Sequence, residues 1–326
     1  MLTALPRAAA QRAFVGTAGA RLSQRRLAMA VRASSSSAPD DISDNGQVSI
    51  LVVRGTNLVQ EACQRHKTSP TASAALGRAL LGTLLMGAFR DEGERTQVTF
   101  KGDGPLGGIQ VIADARGTVK GKVGNPAADP PLRPDGKLDV GTAVGRGVLA
   151  VVRSWKNEYV QPFTGMVPIA TGEVAEDLAR YLVDSEQTQS ALGLGVSISK
   201  DLSIKAAGGF LIQVLPFAED ETIEALERNI SAAGSVTDML ARGMGAADIS
   251  KQLLKGLGGS DTGFQLTPRY GPCEPADLQD RMKQAVALLG ADEVRSIMQE
   301  QGKIEVTCDF CRQTYQFKED EVMAYL

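Results

Sequence analysis

The residues best placed to do chemistry are three cysteines near the C-terminus. Cys308 and Cys311 form a Cys-x-x-Cys pair in Thr307-Cys308-Asp309-Phe310-Cys311, and Cys273 lies upstream in Gly271-Pro272-Cys273-Glu274-Pro275. A Cys-x-x-Cys knuckle after a short strand, with another cysteine about one small domain away, is how a thiolate zinc site is assembled. Two thiolates at this spacing grip one metal while the amides of the turn stabilise the sulfurs. The pattern predicts Zn2+ held by Cys273, Cys308 and Cys311, with no fourth cysteine in this C-terminal stretch to complete a tetrahedron. The competing use of the pair is thiol oxidoreductase chemistry through Cys308 and Cys311. That layout needs a strand before the first cysteine and a helix after it, whereas the strand-forming residues Thr314, Tyr315 and Phe317 follow here. A metal-free knuckle with ordinary thiols is the third reading.

Two other constellations carry less. His66 is the single histidine, which removes multi-histidine metal sites and histidine-based hydrolase triads. Cys63 stands three residues before it, but no orienting group or oxyanion pocket is visible, so the pair reads as ordinary positions of a helix or loop. Gly102-Asp103-Gly104-Pro105-Leu106-Gly107 matches G-x-G-x-x-G. A dinucleotide site needs a helix directly after that motif. The following Gly108-Ile109-Gln110-Val111-Ile112 is strand-like, so the motif reads as a tight β-turn.

The elements that must position the knuckle can be read from periodicity. Gln47 to Val53 reads as a strand. Ser69-Pro70 opens a helix, with serine as N-cap and proline at the first helical position. Its apolar stretch, Ala74 to Phe89, is too short for a membrane span and reads as a buried core helix. Short strands follow at Thr96 to Lys101, Gly108 to Ala113, Thr118 to Val123, Gly147 to Arg153 and Glu158 to Thr164. A helix is predicted over Glu173 to Ser185, then strands over Gly195 to Lys200 and Gly209 to Pro216. This arrangement predicts an α+β fold whose N-terminal sheet is mainly antiparallel. Glu219 to Ile230 is helical. Beyond it, seven glycines (Gly234, Gly243, Gly245, Gly256, Gly258, Gly259, Gly263) dilute a helical pattern of Val236, Met239, Leu240, Ile249, Leu253 and Leu254. Each interior glycine costs a helix about 1 kcal/mol relative to alanine, so these helices are expected to form only by docking on a partner surface. The tail from Pro275 predicts two helices, a strand, the knuckle, a second strand and a last helix.

Composition narrows the function. The first 39 residues carry Arg7, Arg12, Arg21, Arg25, Arg26 and Arg32, no acid, and a serine run, the pattern of an organellar transit peptide. Val31-Arg32-Ala33 before Ser34 suggests the chloroplast stroma as destination, with the mitochondrion as alternative. Removing those six arginines takes the formal net charge from −3 to −9, which argues against nucleic-acid binding. Four cysteines among 326 residues do not form a disulfide scaffold and suit a compartment where thiols stay reduced. Neither an enzyme site nor a nucleotide-binding loop is expected, and no membrane partner.

Taken jointly, several stretches resemble the 33-kilodalton heat-shock chaperone family, the redox-regulated holdases. They are Lys101 to Leu106, Tyr181-Leu182-Val183-Asp184-Ser185-Glu186-Gln187, Gly208-Gly209-Phe210-Leu211-Ile212-Gln213-Val214-Leu215-Pro216, and Gly302 to Val306 leading into Cys308-Asp309-Phe310-Cys311, Tyr315 and Phe317. The resemblance implies an N-terminal domain over 46–218, a metastable helical linker over 219–265 and a C-terminal zinc-binding redox-switch domain over 266–326. It implies an ATP-independent chaperone for unfolded clients, a homodimer when active. Oxidation would form disulfides, expel zinc and unfold the tail and linker. The family's Cys-x-Cys would place a partner for Cys273 at Gly271 or Pro275, and neither can ligate zinc through a side chain. Glu274, Asp277, Asp309 or water are the candidates for the fourth position. Cys308 and Cys311 are the disulfide candidate, leaving Cys273 unpaired.

Overall fold

In the computed structural model, residues 41–155, 160–259, 267–271 and 275–325 are described. The proposed transit peptide and Cys273 lie outside them. The chain divides into two units, Met1–Arg269 and Tyr270–Leu326.

The centre of the first unit is the helix expected after Ser69. It runs from Pro70 to Ala88 (α2), preceded by α1 at Thr56–His66. The Ser69 hydroxyl accepts the Ala72 N–H at 3.2 Å and donates to the Ala128 carbonyl at 2.5 Å, tying the helix start to a distant loop. Loss of a serine cap costs about 1 kcal/mol, and here a second bond goes with it. Ser69→Ala should therefore lower stability by roughly 1–2 kcal/mol in a denaturant titration. By length and composition α2 could cross a membrane, but 94% of its apolar window is buried inside the fold. It is a core helix, as its glycines suggest: a Cβ at Gly77 would lie 2.6 Å from Val59 Cγ1, and one at Gly82 would lie 2.5 Å from Leu178 Cδ1.

Two antiparallel sheets pack against α2. One has the order β1-β2-β9-β8, from Asp41–Ile42 (β1), Val48–Arg54 (β2), Ser190–Ile198 (β8) and Ile204–Val214 (β9). The other has the order β10-β5-β4-β3-β6-β7. Its strands are Glu94–Gly102 (β3), Ile109–Asp114 (β4), Thr118–Val123 (β5), Gly147–Trp155 (β6), Phe163–Pro168 (β7) and the short Arg269–Tyr270 (β10). Two further helices, Val140–Val144 (α3) and Ala175–Asp184 (α4), complete this layer.

Three strands start well away from their expected positions, the other expected strands within two residues. The strand expected at Glu158 to Thr164 is β7, displaced toward Pro168. Its register, Leu149↔Val167 and Val151↔Gly165, is set by pairing with β6, and Pro162 cannot donate a ladder bond. Of the expected span, 158–159 lies outside the described residues. β8 starts at Ser190 rather than Gly195, because pairing with β9 overrides the low β-propensity of its glycines. For the same reason β9 starts at Ile204 rather than Gly209.

The G-x-G-x-x-G segment is a turn between β3 and β4. Its glycines admit the end of α3: a Cβ at Gly102 would lie 1.9 Å from the Val144 carbonyl oxygen, and one at Gly104 would lie 2.4 Å from that of Ala143. Asp103 accepts the Arg146 N–H at 2.7 Å. The dinucleotide reading is thereby replaced by backbone close approach.

The second unit is built from Pro275–Ala287 (α8), Ala291–Gln301 (α9), the hairpin Ile304–Thr307 (β11) and Thr314–Phe317 (β12), and Glu319–Met323 (α10). Val286, Val294, Ile304, Tyr315, Phe317 and Val322 form its small core.

Candidate functional site: a helical cover over a glycine-floored sheet, and a cysteine knuckle

The glycine-diluted stretch folds as three helices, Asp220–Ala233 (α5), Val236–Ala241 (α6) and Ala246–Leu253 (α7). Helices of six and eight residues are not stable alone in water. These are held by burying Leu226, Ile230, Val236, Met239, Ile249, Leu253 and Leu254 against Val48, Ile50, Phe210 and Ile212 of β2 and β9. The docking surface anticipated for this stretch is thus the face of the four-stranded sheet opposite α2.

Glycines shape that face. A Cβ at Gly195 would lie 2.7 Å from Thr237 Cγ2 and 3.5 Å from Val236 Cβ. One at Gly208 would lie 2.8 Å from Leu240 Cδ1, and one at Gly193 would lie 2.4 Å from the Phe210 ring. Gly195 and Gly208 are paired in register, so they make a trough into which α6 seats. This explains the Gly208-Gly209-Phe210 segment: Gly208 opens the trough and Phe210 supplies its apolar wall.

Polar clips close the cover. The Gln47 side-chain carbonyl accepts the Glu219 N–H at 3.1 Å and the Thr222 hydroxyl at 2.7 Å, fixing the start of α5. The Asn229 amide donates to the Leu253 and Lys255 carbonyls at 3.0 and 2.8 Å, satisfying acceptors at the end of α7. Ser235 caps α6 by accepting the Asp238 N–H at 3.1 Å. Sequence reasoning missed Asn229 and Gln47, since an amide that bonds a carbonyl 24 residues away leaves no local pattern.

The Tyr181-to-Gln187 segment serves a different purpose. The Tyr181 hydroxyl donates to Glu186 at 3.3 Å, and Glu186 is ion-paired with Arg90. Burial, reinforced by the Glu186 carboxylate, pushes the Tyr181 phenol up to about 12. Tyr181 also packs where a Cβ on Gly165 would fall 2.7 Å from its hydroxyl. The segment ties the end of α4 to Arg90 in the loop after α2, with Tyr181 packed on Gly165 of the six-stranded sheet.

In the second unit, Cys308 and Cys311 sit in the turn joining β11 to β12, each 4% exposed and neither in a disulfide. The Cys308 N–H donates to the Gln313 carbonyl at 2.9 Å and the Arg312 N–H to the Cys308 carbonyl at 2.8 Å. Arg312 takes a left-handed φ of 58° to close the turn. The Tyr270 hydroxyl donates to the Phe310 carbonyl, holding Tyr270 against the turn. Two buried sulfurs from one tight turn are the donor set that half a tetrahedral zinc site requires. Among the described residues no group of three His, Cys, Asp or Glu side chains gathers around a common point. β12 follows the knuckle, so the strand–Cys–helix layout of a thiol oxidoreductase is not formed.

Cys63 and His66 are both buried on α1. Burial pushes the Cys63 thiol up, against opposing hydrogen bonds with Ser73 and Thr68. A raised, enclosed thiol is a poor nucleophile. In native protein Cys63 should react with an aromatic disulfide reagent far more slowly than in denaturant.

The comparisons agree on one family. The family model described as Hsp33 protein matches residues 41–318. A 33 kDa chaperonin of Geobacter sulfurreducens is 44% identical over 86% of this chain and 91% of its own length. One from Desulforamulus reducens is 39% identical over 87% and 95%. The crystal structure of the Thermotoga maritima 33 kDa chaperonin, a heat shock protein 33 homolog, superposes with a TM-score of 0.79 at 33% identity, covering 88% of this chain and 96% of that one.

Proposed function

The chain belongs to the Hsp33 family, and from that premise we propose that it is an ATP-independent holdase for unfolding proteins, opened by oxidation or heat through zinc release and unfolding of the linker. The observation that carries this reading is the helical cover. Short helices that exist only by docking are a two-state element, and lifting them uncovers Val48, Ile50, Phe210 and Ile212 as one apolar surface. Functionally the chain then divides into a core over 46–218, the linker over 219–265 and the switch over 266–326. The active species is a homodimer. The protein acts in the chloroplast stroma, with the mitochondrion as alternative, on the arginine-rich leader.

Cys308, Cys311 and Cys273 are the proposed zinc ligands, with Glu274, Asp277, Asp309 or water in the fourth position. Bound there, zinc would tie the β11–β12 turn to the segment carrying Cys273. Peroxide would take two electrons from the Cys308 and Cys311 thiolates and two protons from solvent, giving one disulfide and two waters, and remove two ligands at once. Cys273 would remain a single thiol. The test is light scattering by a thermally unfolding client mixed with the protein lacking residues 1–39, either reduced or treated with peroxide at heat-shock temperature. Suppression after treatment supports the holdase. No suppression in either state removes it, and insulin reduction lost in Cys308→Ser would put a thiol oxidoreductase in its place.

A further inference from the structure

Among the described residues, the six-stranded sheet ends in a strand with no charge and no covering strand, blunted only by Pro168 at its far end. β7, Phe163-Thr164-Gly165-Met166-Val167-Pro168, has no charged residue. Natural edge strands are normally blunted by lysine, by proline, by inward charge or by a covering segment. Here Met166 is 68% exposed, Phe163 46% and the neighbouring Val148 of β6 40%. Ala150 pairs with Met166 and Val148 with Pro168, so this side of both strands is uncharged.

The ladder tells which backbone groups are free. The Ile169 N–H donates to the Gly147 carbonyl at 2.9 Å. Hydrogen-bonded pairs alternate along an antiparallel ladder, so Val167, Gly165 and Phe163 direct their N–H and C=O groups toward β6. Thr164 and Met166 direct both groups to the open edge, and Pro168 directs its carbonyl there. Among the described residues β7 pairs with no strand other than β6.

We propose that this edge binds an extended, uncharged segment of an unfolded polypeptide as an added antiparallel strand, in the closed protein and apart from the surface under the linker. This rests on the chaperone reading above and names a second client site for it. The chemistry selects the occupant. Main-chain bonds from Thr164 and Met166 recognise any extended backbone irrespective of its sequence. Met166, unbranched and polarizable, adapts to varied apolar side chains. A second copy of β7 fits less well. In a two-fold antiparallel pair centred on Met166, each Thr164 faces the other copy's Pro168, which has no N–H to return. A client strand lacking proline meets no such gap.

The experiment uses the full protein kept reduced, so that the linker remains docked. The probe is a fluorescein-labelled seven-residue Val/Thr peptide with a terminal lysine for solubility, followed by anisotropy. The single tryptophan, Trp155 at the end of β6, reports independently on the hairpin. Met166→Pro removes an outward N–H that β6 does not use, and Met166→Lys restores a charged edge without touching the backbone. Both should weaken binding at least about tenfold, as should N-methylation of alternate peptide residues. Unchanged peptide affinity in Met166→Lys, with folding checked by circular dichroism, overturns the proposal. So does a dimer that dissociates in Met166→Lys while peptide affinity is unaltered, which assigns the edge to a second copy. Neither result bears on the linker-covered surface, whose release is read separately through Gly195.

Discussion

Gly195→Ala is expected to lift α6 from its sheet and leave the reduced protein holding clients without activation. The added Cβ would lie 2.7 Å from Thr237 Cγ2, 3.2 Å from the Thr237 nitrogen and 3.5 Å from Val236 Cβ. All three neighbours belong to the cover, so the strain is relieved by undocking rather than by unfolding the sheet. Overpacking of this kind costs about 1–3 kcal/mol, which shifts a docked–undocked equilibrium by roughly 5- to 150-fold. Gly208→Ala is the informative contrast. Its Cβ would also press to 2.7 Å on the Val53 carbonyl oxygen, so that variant should lose sheet stability as well. If the reduced Gly195→Ala protein suppresses aggregation no better than the parent, the trough does not govern access to the client surface.

The second large effect lies away from the cover. Glu94 on β3 is 2% exposed, and its carboxylate accepts the Arg153 Nε–H of β6 at 2.5 Å. Arg153 also lies over the Trp155 ring at 5.8 Å. Removing one partner of a buried pair leaves an uncompensated charge, a loss of 3–5 kcal/mol when both are fully buried. Arg153 is partly solvated, so Arg153→Ala should cost about 3 kcal/mol. For a unit of this size that lowers the midpoint of thermal unfolding by roughly 6–12 °C. Replacing both partners, Glu94→Leu with Arg153→Met, should recover most of it, because no charge is then stranded. A single variant that melts with the parent would show the pair contributes nothing.

These two sites differ in how far they could be read from the chain. Ser69-Pro70 marks its own helix start, and the alternation in β3 to β5 fixes those strands, because capping and pleat periodicity are local. The docking of the glycine-diluted helices was also legible, since residues such as Val236, Met239 and Ile249 keep helical spacing while glycine denies them independent stability. The β7 register was not legible, because it is set by β6 and not by the local β-propensity around Tyr159. Asn229 and the Glu94–Arg153 pair were likewise hidden, since their partners are far away in sequence. The knuckle was legible as a pair, with Cys308 and Cys311 enclosed in one turn between two strands, where an oxidoreductase would place a helix. The family motifs acquire physical roles: Gly208 opens a trough, Tyr181 and Glu186 tie the end of α4 to Arg90, and Gly102 with Gly104 admits the end of α3.

The most direct test of the proposed cover is hydrogen exchange at the amides of 236–253, followed as peroxide and heat switch on client holding. The account predicts that these amides lose protection in step with the appearance of activity, while those of β3, β4 and β6 remain protected. Full activity with 236–253 still protected would contradict it, because the β7 edge or another uncovered surface would then suffice for holding without release of the linker.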